Sequence, residues 1–131
     1  AEWEYACRAG TMGPYSRGSM DNTRPPEDFG WFGGREGNSG ETTHPVGLKK
    51  PNAWGLYDMH GNVAEWVQDY RTGYSSQPQT DPTGLQAGTE RVFRGDNWFG
   101  SAVDFLGTRR SSGEPSFALN WLGFRLVRTR R

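Results

Sequence analysis

The stretch Pro45–Tyr70, PVGLKKPNAWGLYDMHGNVAEWVQDY, decides how the whole chain is read. Together with the two residues before it, the part up to Gly61 reads as a short strand that ends in turn signals. The nine residues that follow, NVAEWVQDY, read as a short helix. Asn62 stands at the N-cap, and Glu65 comes three residues later in capping-box position. A strand that runs through turns into a capped helix predicts a domain of mixed α and β structure.

Working outward, two further segments carry strand patterns. In ERVFRGDNW (90–98) and LGFRLVRTR (122–130), aromatic, aliphatic and arginine residues alternate as they do in a half-buried strand. At the other end, AEWEYACRAG (1–10) places Trp3 and Ala6/Cys7 at helical spacing and closes on Gly10, which predicts the end of an amphipathic helix. Residues 11–56 are rich in Gly, Pro and Asn and keep no period. They predict a long ordered loop region pinned by Tyr15, Phe29, Trp31, Phe32 and Trp54. A polar connection, residues 71–89, leads into the strand at 90–98. Between the last two strand patterns lies an aperiodic segment, Phe99–Trp121, which includes SSGEPSFALNW (111–121). The fold class is therefore α+β, loop-rich, with short antiparallel strands and few helices.

Composition bounds the rest. A chain of 131 residues suffices for one hydrophobic core. Only 33% of residues are hydrophobic, yet 14% are aromatic, six of them Trp, which points to a core of a few large rings and away from disorder. Fifteen basic residues balance fifteen acidic ones, so no global field attracts nucleic acid, and no apolar run has the length for membrane insertion. Cys7 is the single cysteine, which excludes an intrachain disulfide and any multi-cysteine metal site. Beside it stand only His44 and His60, a poor set for zinc.

Taken in order, AEWEYACRAG, PVGLKKPNAWGLYDMHGNVAEWVQDY, DPTG (81–84), RVFRGDNW and GFRLVR resemble the formylglycine-generating-enzyme, or sulfatase-modifying factor, domain family, a branch of the C-type lectin-like fold. The resemblance covers Ala1 to Arg128. It implies a single C-type lectin-like domain over 1–131, of which this would be the C-terminal part, the family's N-terminal segment being missing. Oxidising members of that family resemble one another in a cysteine pair that binds copper after the strand motif. The matching stretch here, WFGSAVDFLGTRR (98–110), has no cysteine, so neither copper nor catalysis is expected.

The chain is most similar to those family members that serve as variable proteins of diversity-generating retroelements. In such proteins a template's adenines are copied with errors, so asparagine AAC codons become NNC. The resemblance implies a variable ligand-binding region at 94–126, with a diversified surface from 97 to 121. Asn97, Phe99, Gly100, Ser101, Val103 and Asp104 begin that surface. Arg109, Ser111, Ser112, Gly113 and Ser116 continue it, and Phe117, Leu119 and Asn120 complete the set that NNC codons can encode. Glu114 and Trp121 lie on the same surface but need other codons. Exposed rings with polar neighbours suit a protein or other macromolecular ligand. The missing N-terminal segment is a further partner the resemblance offers.

Calcium is also implied by the family, at Asp58, Gly61, Val63 and Glu65, through two carboxylates and two backbone carbonyls. A second family calcium site would draw on residues such as Asn22 or Asp28. The tripeptide RGD at 94–96 lies within a strand motif and reads as structural, with Arg94 buried. The resemblance implies an extracellular or cell-surface receptor, with a phage particle or the cytoplasm as alternatives. Two rival readings are an oxidase or related enzyme with an altered metal site, and a structural domain of a larger protein. The last predicts a buried segment from Phe99 to Trp121.

Overall fold

The computed structural model describes residues 1–13, 15, 27–35, 37–101 and 106–128. The N-terminal helix is present as expected: α1 spans Glu2–Arg8, with Glu2 and Glu4 in its first turn and Arg8 in its last. This charge order complements the helix dipole. Ala9 closes it in the left-handed conformation, φ 45° and ψ 42°, its N–H donating to the Tyr5 carbonyl. One face of α1 buries Cys7 completely.

The segment 62–70 is a strand where the sequence predicts a helix. β3 spans Ala64–Tyr70, preceded by β2 at His60–Gly61, which pairs in parallel with β1 at Gly30–Trp31. The physical reason lies in where the two capping groups go. Asn62 adopts φ 62°, its N–H donates to the Trp31 carbonyl at 2.8 Å, and its side chain clamps both backbone groups of His44. Its N–H is thus unavailable to Glu65, whose carboxylate turns to Trp3 and Arg125 instead. With the capping box dismantled, the aromatic and β-branched run around Trp66 and Val67 takes the extended form it favours.

β3 is central to a four-stranded sheet. β4 (Arg91–Arg94) and β5 (Ser111–Gly113) lie on one side of it and β6 (Leu122–Phe124) on the other, in the order β5-β4-β3-β6. β4 runs antiparallel to both β3 and β5, whereas β6 is parallel to β3, with Glu65 opposite Arg94 on one side and Gly123 on the other. Two expectations need correction here. The strand predicted from 122 to 130 is confined to three residues within the described part, and no strand precedes His60 in the 43–61 stretch. Conversely, SSG at 111–113, read as part of an aperiodic segment, forms the edge strand β5.

The interior is small and mixed. Phe32, Val92, Cys7 and Ser39 are fully buried, joined by Met59, Ala64 and Tyr15. Of the predicted loop anchors, Tyr15 and Phe32 are buried, while Trp54 is half exposed and packs edge-on to Tyr5 at 4.9 Å. Asn52 fastens the loop to α1, donating to the carbonyls of Ala6 and Cys7. On the other side, Phe124, Leu126, Val127, Val46 and Leu48 stay largely exposed. No described helix is long and apolar enough to cross a membrane.

The burial pattern predicts a sharp contrast between two phenylalanines. Phe32→Ala, which empties the largest fully buried position, should cost about 3–5 kcal/mol in urea unfolding. Phe124→Ser, at a position 74% exposed, should change stability by less than about 0.5 kcal/mol.

Candidate functional site

The loop that follows β4 is built by Asp96 and Asn97. Asp96 sits at φ 57° and its Oδ1 accepts the Asn97 N–H, while Asn97 Oδ1 accepts the N–H groups of Phe99 and Gly100. A Cβ at Gly100 would strike the Asp96 carboxylate, so a larger residue there must push that side chain aside. The loop is then docked on the segment after β1: Gly33 N–H donates to the Gly100 carbonyl at 2.9 Å, and the absent side chain of Gly33 lets the Phe99 backbone approach. Ser39 Oγ adds a bond to the Trp98 carbonyl at 2.6 Å.

A second support comes from Arg94, read from sequence as buried and structural, and 5% exposed in the fold. Its Nη1 meets Glu4 of α1 and points at the carbonyls of Gly107, Thr108 and Arg109, at 3.3 to 3.4 Å. The backbone entering β5 is thereby tied to the core, and the Arg109 side chain is carried to the surface. Its burial also removes Arg94 from any displayed RGD epitope.

The surface so built brings together part of the predicted set. Asn97, Phe99, Gly100, Arg109, Ser111 and Trp121 line one cavity of about 270 Å³, with Phe93, Arg94 and Asp96 among its other walls. Trp121 contacts Phe93 and Phe99 edge-on, at 5.5 and 5.8 Å between ring centres. Arg109 Nη1 lies 3.6 Å from Asp96 Oδ2. Ser101 and the run from Glu114 through Ser116, Phe117, Leu119 and Asn120 are exposed outside this cavity. Ser112 is half-buried and donates to Glu90, whose carboxyl is held below the usual range by that bond and by Arg71. Two members are not surface contacts at all: Asn97 and Gly113 are buried, the first as the turn's acceptor and the second under the Phe117 ring. Val103 and Asp104 lie outside the described residues, as does Asn22.

Sequence reading missed Asp96 and Phe93. Asp96 lies in the RGD tripeptide, which reads as structural. Phe93 read only as a strand residue.

The four positions implied for calcium, Asp58, Gly61, Val63 and Glu65, all line another cavity, of about 420 Å³, shared with Tyr57, Phe124 and Arg125. One observation fits an ion: Asp58 is buried and its Oδ1 has no hydrogen-bond partner among the described residues, while Oδ2 accepts the Gly47 N–H at 2.7 Å. Glu65 is more committed. Both its oxygens accept from Arg125, and Oε2 also accepts from Trp3 Nε1 at 2.7 Å. Burial disfavours the Arg125 charge, but Glu65 and then Asp58 outweigh it and hold the guanidinium above its ordinary range. An ion there would rest chiefly on Asp58 and backbone carbonyls.

Against this geometry stand the relatives. Residues 1–130 match the model of the sulfatase-modifying factor enzyme 1-like domain. The chain belongs to that family. Treponema denticola variable protein 1 superposes with a TM-score of 0.81 at 37% identity, over 94% of this chain and 43% of that one. PvdO from Pseudomonas aeruginosa gives 0.77 at 32%, over 94% and 48%. The formylglycine-generating enzyme of Mus musculus is 32% identical over 139 residues, 95% of this chain and 37% of its own length. The fold is accordingly that of the formylglycine-generating-enzyme branch, and the chain spans less than half the length of these relatives.

Cys7 lies apart from the candidate surface, against the Met59 carbonyl and His60 Nε2, both at 3.7 Å. Burial pushes its thiol from an ordinary 9.0 up to about 12. In the pH range between these values the unfolded chain releases the proton and the folded chain retains it. Cys7 therefore supports folding fully below about pH 9, and that support is lost as pH rises toward 12. Urea midpoints across this range should fall more steeply for the native protein than for Cys7→Ala, and Ellman's reagent should label Cys7 only on unfolding.

Proposed function

We propose that the protein is a non-catalytic ligand-binding domain whose surface from Asn97 to Trp121 is diversified by a retroelement to meet varied protein partners. The observation that carries this reading is the exposure of the segment on an otherwise fastened frame. Every residue from Glu114 to Asn120 is exposed, with Phe99, Phe117 and Leu119 at 49%, 44% and 38%. Yet the turn at 96–100 and the entry to β5 are held by buried groups of the core. Apolar side chains displayed on a fixed backbone suit recognition with little ordering cost. Similarity to a variable protein over nearly the whole chain adds support.

The enzymatic alternative draws on the formylglycine-generating enzymes among the relatives. Against it stands the chain's single cysteine, a buried and protonated thiol away from the exposed segment. Thiolate is the form that binds a soft metal or attacks a substrate. The structural-domain alternative is opposed by the exposure of residues 114–120.

Two tests address the receptor reading. The DNA around the gene should hold a second copy of the region encoding residues 94–126, differing only where that copy has adenine, beside a reverse transcriptase. Single substitutions at Ser101, Glu114, Ser116, Leu119 and Asn120 should each move stability by less than about 0.5 kcal/mol. Absence of the repeat would sink diversification, and a collapse of the fold would sink the surface.

We also propose a structural calcium ion at Asp58, supported by that residue's buried Oδ1. Calcium in place of chelator should raise the melting temperature of the native protein, and Asp58→Asn should remove the difference.

A further inference from the structure

A separate cavity, of about 310 Å³, opens beside β5 and shares only Ser111 with the one next to Phe99. Its volume falls at the low end of the small-molecule range of about 300–1,000 Å³, which suits one side chain better than a cofactor. Val92 of β4, fully buried, closes it toward the core. The other walls are cationic or polar: Arg71 and Arg110, the hydroxyl residues Thr108, Ser111 and Ser112, and Tyr74. No carboxylate of a described residue lines it.

Strand ends place the two arginines. Arg71 follows β3, and its N–H donates to the Glu90 carbonyl at 2.8 Å. Arg110 precedes β5 and reaches to the segment after β3, where it donates to the Thr72 carbonyl and lies over the Tyr74 ring, 4.2 Å from its centre. At the margin, Glu90 Oε2 accepts from both Arg71 and Ser112, at 3.0 and 2.8 Å. Arg110 pairs with no carboxylate among the described residues. Glu4 and Asp69 line a larger cleft that Arg110 also borders, but their ion pairs are made to other groups. Two guanidinium groups against one carboxylate leave positive charge in excess here. Four of the five N–H groups of Arg110 remain beyond the one spent on Thr72, in the planar fork that matches a carboxylate.

From this excess we infer that the cavity formed by Arg71, Tyr74, Arg110 and Ser111 receives a carboxylate, the side chain of a glutamate or aspartate on a protein partner. Arg110 supplies the pairing charge, and the exposed Arg71–Glu90 pair is weak enough for Arg71 to share. A singly charged anion matches one unpaired guanidinium, whereas a doubly charged phosphate brings a second negative charge toward Glu90. Tyr74, 73% exposed, offers its ring to the methylenes of the incoming side chain. The inference rests on the reading of residues 97–121 as the ligand-binding surface, to which Ser111 and Ser112 belong, and adds the chemistry of the partner. Arg71 and Tyr74 lie outside that surface, so part of the site is independent of it.

The test is an NMR titration of the full chain with N-acetyl-glutamate amide, with N-acetyl-glutamine amide as the neutral match and inorganic phosphate as the other anion. The glutamate probe should shift the Arg110 Nε–H signal and the Ser111 and Ser112 amides saturably, and the glutamine probe should leave them in place. Arg110→Gln should bind glutamate about tenfold more weakly than the native protein, and Arg110→Lys should recover part of the loss. A capped peptide with the glutamate between two leucines should bind more tightly than the amide, since Tyr74 offers apolar contact at the rim. Equal response to glutamate and glutamine would overturn the inference, as would unchanged affinity in Arg110→Gln. Tighter binding of phosphate than of glutamate would overturn the carboxylate, and equal affinity for peptide and amide would overturn a protein as its source. Should Arg110→Gln fail to fold, Arg71→Gln, at an exposed position, decides instead: weaker glutamate binding supports the inference and unchanged binding counts against it. A missing template repeat would end the diversification reading without touching this result, and a repeat found beside a silent glutamate titration would end this inference alone.

Discussion

The buried carboxylate of Glu65 is the constraint on which the rest of the structure depends. It sits on the central strand, 6% exposed, and burying an ionised group without partners would be prohibitive. Its partners come from the two ends of the chain: Trp3 on α1, 62 residues away, and Arg125 just beyond β6, 60 residues away. Helix, central strand and final strand must therefore assemble together for any of them to be satisfied. The same guanidinium also reaches the carbonyls of Tyr57 and Asp58, which draws the turn before β2 into the cluster. Such a cluster contributes less to net stability than to uniqueness, because alternative packings leave the charge unpaired.

This also explains what was legible in the sequence. The helix at the N-terminus and the strand at 91–94 follow from local pattern and were readable. The segment 62–70 was not, because its local signal and its tertiary partners disagree. Asn62 and Glu65 have the spacing of a capping box, but the N–H and carboxylate that would close it are each taken by residues distant in sequence. The short β5 was hidden for a related reason. Its three residues carry no alternation, and β4 beside it supplies the ladder that makes them a strand. Exposure of the run 114–120 was legible, since a stretch released from packing loses its period. The burial of Asn97 and Gly113 before it was not, since both serve backbone geometry, which composition does not report.

The two ends of the candidate surface are fastened by different chemistry. At one end the turn from Asp96 to Gly100 is held by side-chain carbonyl and carboxylate oxygens and by close backbone contact with Gly33. At the other, Arg94 gathers the backbone at 107–109 from within the core. Neither fastening uses the side chains at 114–120. Substitution along that run leaves every one of these bonds intact, which is the physical condition for a surface whose residues can change while the fold does not.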